Sequence, residues 1–168
     1  MSKLLHETLA TVVPDLQRHC RDPWVLIGSA AARLIGADVT VADVDVLTSV
    51  RDAESLIAQW QSHLDDVYAP EGSDRFRSRF ACFRFAGLPV EVMGGLELNG
   101  ATGWQALQVQ EIMTVSCGDV AVQVPSSAEQ IRVLEIFGRP KDIERASLLR
   151  ALKAPDSAAL VRASAYDR

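Results

Sequence analysis

Three acidic residues stand in apolar segments, where their spacing could serve a chemical purpose. Asp43 and Asp45 alternate with apolar residues within 42–47, and Glu91 lies in a second apolar segment, 88–93. A strand has a side-chain period of two, so Asp43 and Asp45 are predicted to share one face. Like charges side by side on a strand repel, whereas Mg²⁺ takes oxygen ligands and is commonly held by one or two carboxylates plus substrate phosphates. The pattern therefore indicates a magnesium site.

A glycine–serine pair precedes the two aspartates and could hold a phosphate. Residues 24–27 form a short apolar run typical of a buried strand, and residues 30–35 predict a short helix that ends at Gly36. Gly28 and Ser29 lie where strand becomes helix. Unpaired backbone N–H groups favour an anion there, glycine allows close approach, and the serine hydroxyl can donate. Phosphate and metal sites are thus predicted within one strand–helix–strand unit.

This unit resembles the signature of the nucleotidyltransferase superfamily. That signature is an apolar strand ending in Gly-Gly or Gly-Ser, a short helix, Asp-x-Asp on the next strand and a third carboxylate on a later strand, which would be Glu91 here. An arginine often found before Asp-x-Asp is absent, and Asp38 lies near its place. The longer form of the signature, found in the AbiEii-like and related uncharacterised bacterial branches, is similar to Gly36, Thr40, Asp43 and Asp45.

The resemblance implies an α/β (α+β) fold, with a mixed β-sheet flanked by helices and a short helical C-terminal segment. It also implies transfer of a nucleoside monophosphate from a nucleoside triphosphate to an acceptor hydroxyl. Asp43, Asp45 and Glu91 would hold two Mg²⁺ ions, Glu91 could act as base, and Ser29 with nearby N–H groups would hold the β and γ phosphates. The acceptor stays open between a small molecule, a protein and an RNA end. The alternative is a catalytically inactive module that binds a nucleotide or a protein partner, as in toxin–antitoxin pairs. A protein partner or a homodimer is open for either function.

A second motif follows near the C-terminus. Residues 126–129 form a capping box before a helix predicted to end at Gly138, and residues 139–142 open another helix with Pro140 at its first position. The Arg-x-Lys-Asp run resembles the C-terminal motif of the same branches. It makes Lys141 a candidate for a nucleotide phosphate, with a solvated lysine as the equal alternative. The lysine common in the preceding helix is replaced by Leu134, which favours the inactive alternative.

The most basic segment supplies two further candidates. Arginines alternate with phenylalanine and serine in residues 75–85, which predicts a strand joined through Ala86-Gly87 to the Glu91 strand as a hairpin. Arg77 and Arg79 would share one face and could hold triphosphate oxygens. The alternative is a solvated face or ion pairs with acids of the preceding loop, and the sequence favours it slightly because it does not fix the register.

Other patterns predict the surrounding elements. Gly94-Gly95 is expected to end the Glu91 strand, Asn99-Gly100 is a turn signal, and residues 104–115 suit either helix or strand. The remaining predictions are a helix over 2–20 with a kink or break at Pro14, a helix over 49–60 capped by Ser49, a short strand over 63–69, a loop over 70–74, a hairpin of 112–115 with 120–124, and a marginal helix over 156–168.

Composition bounds the class of protein. The 168 residues, 48% hydrophobic and 23% charged, predict one soluble globular domain, with a core at about 20–125 and C-terminal helices at about 126–165. The net charge of −5 gives no global basic footprint for nucleic acid. Cys20, Cys82 and Cys117 suggest neither a disulfide framework nor zinc, which fits the cytoplasm, and no stretch is long enough to span a bilayer. Walker and dinucleotide-binding motifs are absent from the sequence.

Overall fold

A computed structural model describes residues 2–153, so the helix predicted over 156–168 lies outside the described residues. None of its helices combines the length and apolar character needed to cross a bilayer within this range. The described elements, in chain order, are α1 (Lys3–His19), β1 (Val25–Ile27), α2 (Gly28–Leu34), β2 (Val44–Thr48), α3 (Val50–Gln59), a 3₁₀ helix (Gln61–His63), β3 (Phe76–Phe83), β4 (Val90–Gly100), β5 (Gly103–Ala106), β6 (Ile112–Cys117), β7 (Val120–Pro125), α4 (Ser127–Phe137) and α5 (Pro140–Lys153).

The main sheet is mixed and has the strand order β1-β2-β4-β3, with β5 paired to the far end of β4. β2 and β4 are parallel, whereas β1 with β2 and β3 with β4 are antiparallel. β6 and β7 form a separate antiparallel hairpin. The mixed α/β architecture expected from the sequence is therefore confirmed.

The two faces of the sheet are covered by different helices. Alternate residues of β2 and β4, such as Val46 and Val92, are fully buried against α1 and α3 in the largest apolar cluster. On the opposite face, Ile27, Leu47 and Leu96 pack with Val133 and Phe137 of α4. Because side chains alternate along a strand, Asp45 and Glu91 belong to the face that α4 covers.

Local signals placed most helix boundaries correctly. The Ser49 side chain accepts the Asp52 N–H at 3.1 Å, and Ser126 accepts the Glu129 N–H at 3.3 Å, so both predicted N-caps are confirmed. Gly138 ends α4 with a φ of +67°, a left-handed conformation that suits glycine. Helix α1 continues through Pro14 without a break.

Several predictions made from short segments were wrong. No strand forms over residues 63–69: His63 ends the 3₁₀ helix, and Leu64 makes only an isolated bridge to Phe83. β4 does not end at Gly94-Gly95 but continues to Gly100. A Cβ on Gly94 would lie 2.6 Å from the Ala53 Cβ, so this glycine permits close packing of α3 on the strand. The ambiguous residues 104–115 contribute to β5 and β6 with irregular chain between them.

Candidate functional site

The Asp45 and Glu91 carboxylates are brought together by the parallel pairing of β2 and β4. Asp45 is the register partner of Glu91, and Ile27 is the partner of Asp45 on the other side. Neighbouring residues in register project from the same face of a sheet. Two carboxylates 46 positions apart in sequence therefore lie side by side on β2 and β4, at the level of Ile27, the last residue of β1. Asp43 immediately precedes β2, so it is placed beside the strand rather than in it.

The Gly28-Ser29 pair is directly joined to this site. α2 begins at Gly28 rather than at Ala30, so both residues belong to its first turn. Gly28 has a φ of +70°, and a Cβ added there would overlap the Asp45 Oδ2 atom. The Ser29 side chain is only 2% exposed. The glycine thus serves two purposes: it makes the turn, and it leaves room for the aspartate.

The electrostatics of the site disfavour negative charge on the free protein. Burial, reinforced by the charges of Asp43 and Glu91, raises the pKa of Asp45 to about 8, and Arg139 and Arg145 oppose this shift. Burial also raises the pKa of Glu91, which a Tyr68 hydrogen bond and the Lys141 charge oppose. Within residues 2–153, none of the three carboxylates forms an ion pair with a lysine, arginine or histidine.

The start of α5 supplies positive charge to the site. Asp142 is fully buried, and its carboxylate accepts hydrogen bonds from the Arg139 Nε at 2.6 Å and from the Arg139 backbone N–H at 3.3 Å. Arg145 lies 3.7 Å from the same carboxylate. The aspartate of the Arg-x-Lys-Asp run therefore contacts two arginines whose charges oppose the raised pKa of Asp45, while the charge of the exposed Lys141 acts on Glu91. Arg145 carried no recognisable signal in the sequence, because its role depends on how α5 packs.

Arg77 and Arg79 are not brought to the carboxylates. Arg79 pairs in register with Gly94, on the sheet face that α3 covers, and its guanidinium contacts Glu54 of α3. Arg77 forms an ion pair with Glu97 at 2.6 Å and stacks over Trp104 at 4.4 Å. The structure therefore places both arginines in ion pairs away from Glu91, although their partners are on α3 and β4 rather than in the preceding loop.

Leu134 occupies an apolar environment in which a lysine would be out of place. It is 3% exposed and packs in a small cluster of residues from α2, the segment after α2, α4 and α5. The other buried members of this cluster are Ala32, Ala37, Ala146 and Leu149. Leu134, at the position where the resemblance implies a lysine, thus forms part of the contact between the three helices.

The candidate ligands are of the type that binds a hard divalent cation, although within the described residues they do not form a complete coordination shell. All three candidate ligands are carboxylates, and two are direct neighbours. Within the described residues, no three histidine, cysteine, aspartate or glutamate side chains converge closely enough to hold a metal ion. This arrangement fits Mg²⁺, which is usually held by one or two carboxylates with substrate phosphates completing its coordination.

Comparison with known proteins identifies the fold. No family model matches the chain, and no curated protein matches its sequence. Among solved structures, a candidate nucleotidyltransferase from Thermotoga maritima superposes with a TM-score of 0.71 at 21% identity, over 90% of this chain and 94% of that chain. The lincosamide antibiotic adenylyltransferase LnuA, solved with lincomycin, gives a TM-score of 0.55 at 11% identity over 86% and 96% of the two chains. The antibiotic-resistance factor ANT(2'')-Ia gives 0.52 at 13% identity over 96% and 88%. The chain has the nucleotidyltransferase fold, which confirms the resemblance seen in the sequence.

Proposed function

We propose that the protein transfers a nucleoside monophosphate from a nucleoside triphosphate to an acceptor hydroxyl. The observation that carries this proposal is the register pair of Asp45 and Glu91 beside Gly28, two carboxylates that form no ion pair within residues 2–153. Such a pair is costly in the free protein, because burial and mutual repulsion disfavour both charges. A bound cation would relieve that cost. The nucleotidyltransferase fold, which the adenylyltransferase LnuA shares, supports the same reaction class.

The proposed site residues would have three roles: binding Mg²⁺, binding the phosphates and stabilising the charge of the nucleotide. Asp43, Asp45 and Glu91 would hold two Mg²⁺ ions, which supply charge stabilisation for the attacking and leaving oxygens of an in-line displacement. Ser29 and backbone N–H groups near Gly28 would hold the β and γ phosphates. Lys141 and Arg139 would stabilise negative charge on the nucleotide from the start of α5.

The proposed bond changes follow from that arrangement. The acceptor oxygen attacks the α-phosphorus, the bond from the α-phosphorus to the bridging oxygen of the β-phosphate breaks, and pyrophosphate leaves. The acceptor proton goes to Glu91, whose raised pKa suits a general base better than that of an ordinary glutamate. Specificity for the acceptor is not encoded in these residues, and a small molecule, a protein or an RNA end would each present the required hydroxyl.

Thermal unfolding with each nucleoside triphosphate tests the proposal. Wild type and Asp45→Asn are compared in Mg²⁺ and in EDTA, with Asp119→Asn in the β6–β7 turn as an exposed control. A ligand at 100 times its Kd stabilises the native state by about 2.7 kcal/mol. We expect one triphosphate to raise the Tm of wild type and of Asp119→Asn in Mg²⁺ only, and not that of Asp45→Asn. No shift with any triphosphate would refute the proposed enzyme.

The second candidate is an inactive module that binds a nucleotide or a protein partner. The observation in its favour is Leu134, because the buried leucine removes a cation that the resemblance would place near the nucleotide. Nucleotide binding without release of pyrophosphate in the presence of varied hydroxyl acceptors would favour this candidate. Release of pyrophosphate that stops in Asp45→Asn would exclude it.

A further inference from the structure

A cavity apart from the carboxylate site lies between α4 and the β4–β5 hairpin. Its volume is about 450 Å³, which is in the range of pockets that bind small molecules. It is on the sheet face that α4 covers, where Leu98 and Leu107 pack with Phe137. Leu98 follows Glu91 by seven positions on β4, which corresponds to roughly 20 Å along a strand. The cavity is therefore separate from the site that contains Asp45 and Glu91.

The cavity carries positive charge, although the chain has a net charge of −5. Arg75, just before β3, and Arg132 of α4 both line it, and none of the described residues that line it is acidic. Arg132 forms an ion pair with Glu129 at 2.7 Å, so its charge is balanced. Arg75 forms no ion pair with an acidic residue in the described part of the chain. One unbalanced guanidinium is therefore available to a ligand.

Arg75 is held in place by contacts with uncharged groups. Its Nη2 atom donates to the Phe137 carbonyl oxygen at 2.6 Å, at the C-terminal end of α4. Its guanidinium carbon lies 5.5 Å from the centre of the Phe76 ring, which packs edge-to-face on Phe137. A guanidinium has five N–H donors, so donors remain after the bond to Phe137. They can bind a carboxylate or a phosphate in the two-point geometry that arginine favours.

The rest of the lining suits the body of a small molecule. Leu98, Leu107 and Ile136 contribute apolar surface. The side-chain amides of Asn99 and Gln108 add hydrogen-bonding groups that carry no charge. An apolar surface beside one anchored cation matches a molecule with an apolar body and a single anionic group.

We propose that this cavity binds a small molecule with an apolar body and one carboxylate or phosphate group, and that Arg75 binds the anionic group. The guanidinium sets the charge of the ligand, and the apolar lining sets the character of its body. This binding site is separate from the proposed nucleotide site, so it does not depend on the proposed function.

Titration of the protein with 1-naphthyl phosphate and with 1-naphthoate tests the proposal, and the two probes distinguish a phosphate ligand from a carboxylate ligand. Binding is followed by ¹H–¹⁵N NMR in EDTA, with 1-naphthol as the uncharged control. We expect at least one anionic probe to shift the amide signals of residues 98–108 and to bind about tenfold or more tightly than 1-naphthol, because a charge-assisted hydrogen bond is lost with the neutral probe. No shift of these signals with either anion, or equal affinity for 1-naphthol, would overturn the proposal.

Arg75→Gln tests the role of the guanidinium, because it removes the charge and keeps a hydrogen-bonding side chain. Arg18→Gln, at a side chain on α1 that is 70% exposed, is the matched control. We expect about tenfold or greater weakening in Arg75→Gln, partial recovery in Arg75→Lys and wild-type affinity in Arg18→Gln. Wild-type affinity in Arg75→Gln would overturn the proposal, as would probe-induced shifts at Gly28 and Asp45 in place of residues 98–108. The comparison of charged and uncharged probes uses wild type, so it decides the proposal even if Arg75→Gln fails to fold.

Discussion

Gly28 lies so close to Asp45 that a β-carbon at position 28 would overlap the Oδ2 atom of the aspartate. The φ of +70° at Gly28 adds a second constraint, because residues with a Cβ rarely adopt this conformation. The first residue of α2 and a carboxylate of β2 are thus fitted to one another. This relationship explains why the turn and the Asp-x-Asp pair occur together.

Gly28→Ala is expected to destabilise the protein by about 1–3 kcal/mol, from backbone strain and displacement of Asp45. Urea unfolding measures the change. Gly100→Ala is the control, since a Cβ there meets nothing within 4 Å and Gly100 has no positive φ. Nucleotide-dependent stabilisation should be lost in Gly28→Ala and kept in Gly100→Ala. A Gly28→Ala variant that binds nucleotide as wild type does would contradict the importance of the close approach between Gly28 and Asp45.

Stability of the metal-free protein is expected to fall as pH rises from about 4 to about 8. Asp45 has a pKa of about 8 in the folded state against 3.8 ordinarily, so the folded state holds a proton that the unfolded state has lost. When the folded state binds more protons, the free energy of unfolding decreases with pH. Urea unfolding in EDTA at pH 5 and pH 8 measures this decrease.

Asp45→Asn should reduce that pH dependence, because asparagine does not titrate. Asp119→Asn, in the exposed β6–β7 turn, should retain it. An Asp45→Asn protein with the full pH dependence of wild type would show that another group is responsible.

Leu134→Lys is expected to destabilise the protein by about 2–4 kcal/mol, because it introduces a charge into the alanine and leucine cluster between α2, α4 and α5. Leu134→Met, which conserves volume, should cost less than about 1.5 kcal/mol. Chemical unfolding of both variants measures the difference. A lysine variant as stable as wild type, with stronger nucleotide binding, would show that the site can accept the family lysine.

Lys141→Gln and Arg79→Gln are expected to affect nucleotide binding differently. The Lys141 charge acts on Glu91, whereas Arg79 and Arg77 are paired with Glu54 and Glu97. Loss of a charge-assisted contact to phosphate costs about 1.5–3 kcal/mol, or about tenfold or more in Kd. Calorimetry should show that weakening for Lys141→Gln only.

We expect the Kd values of Arg79→Gln and Arg77→Gln to equal that of wild type. A tenfold loss in either arginine variant would mean that the ion pairs rearrange when nucleotide binds. An unchanged Kd for Lys141→Gln would remove Lys141 from the proposed site.

The sequence by itself determined the elements whose signals are local. The apolar run before Gly28, the capping serines at 49 and 126, and the glycine that ends α4 depend on near neighbours in the chain, so their positions could be predicted. The alternation of Asp43 and Asp45 with apolar residues predicted a strand with both carboxylates on one face; β2 forms there, but it begins at Val44, so Asp43 lies just before it. These features were sufficient to suggest the nucleotidyltransferase fold.

Only the tertiary structure decided which side chains meet. The register of β2 with β4 places Asp45 beside Glu91, and the register of β3 with β4 turns Arg79 toward α3. A shift of one residue would reverse either result, since side chains alternate between faces. Arg145 is brought to Asp142 by the packing of α5, which has no periodic signal in the sequence. The candidate site was thus predictable where it follows one continuous segment, and it was not predictable where strand order and packing bring distant residues together.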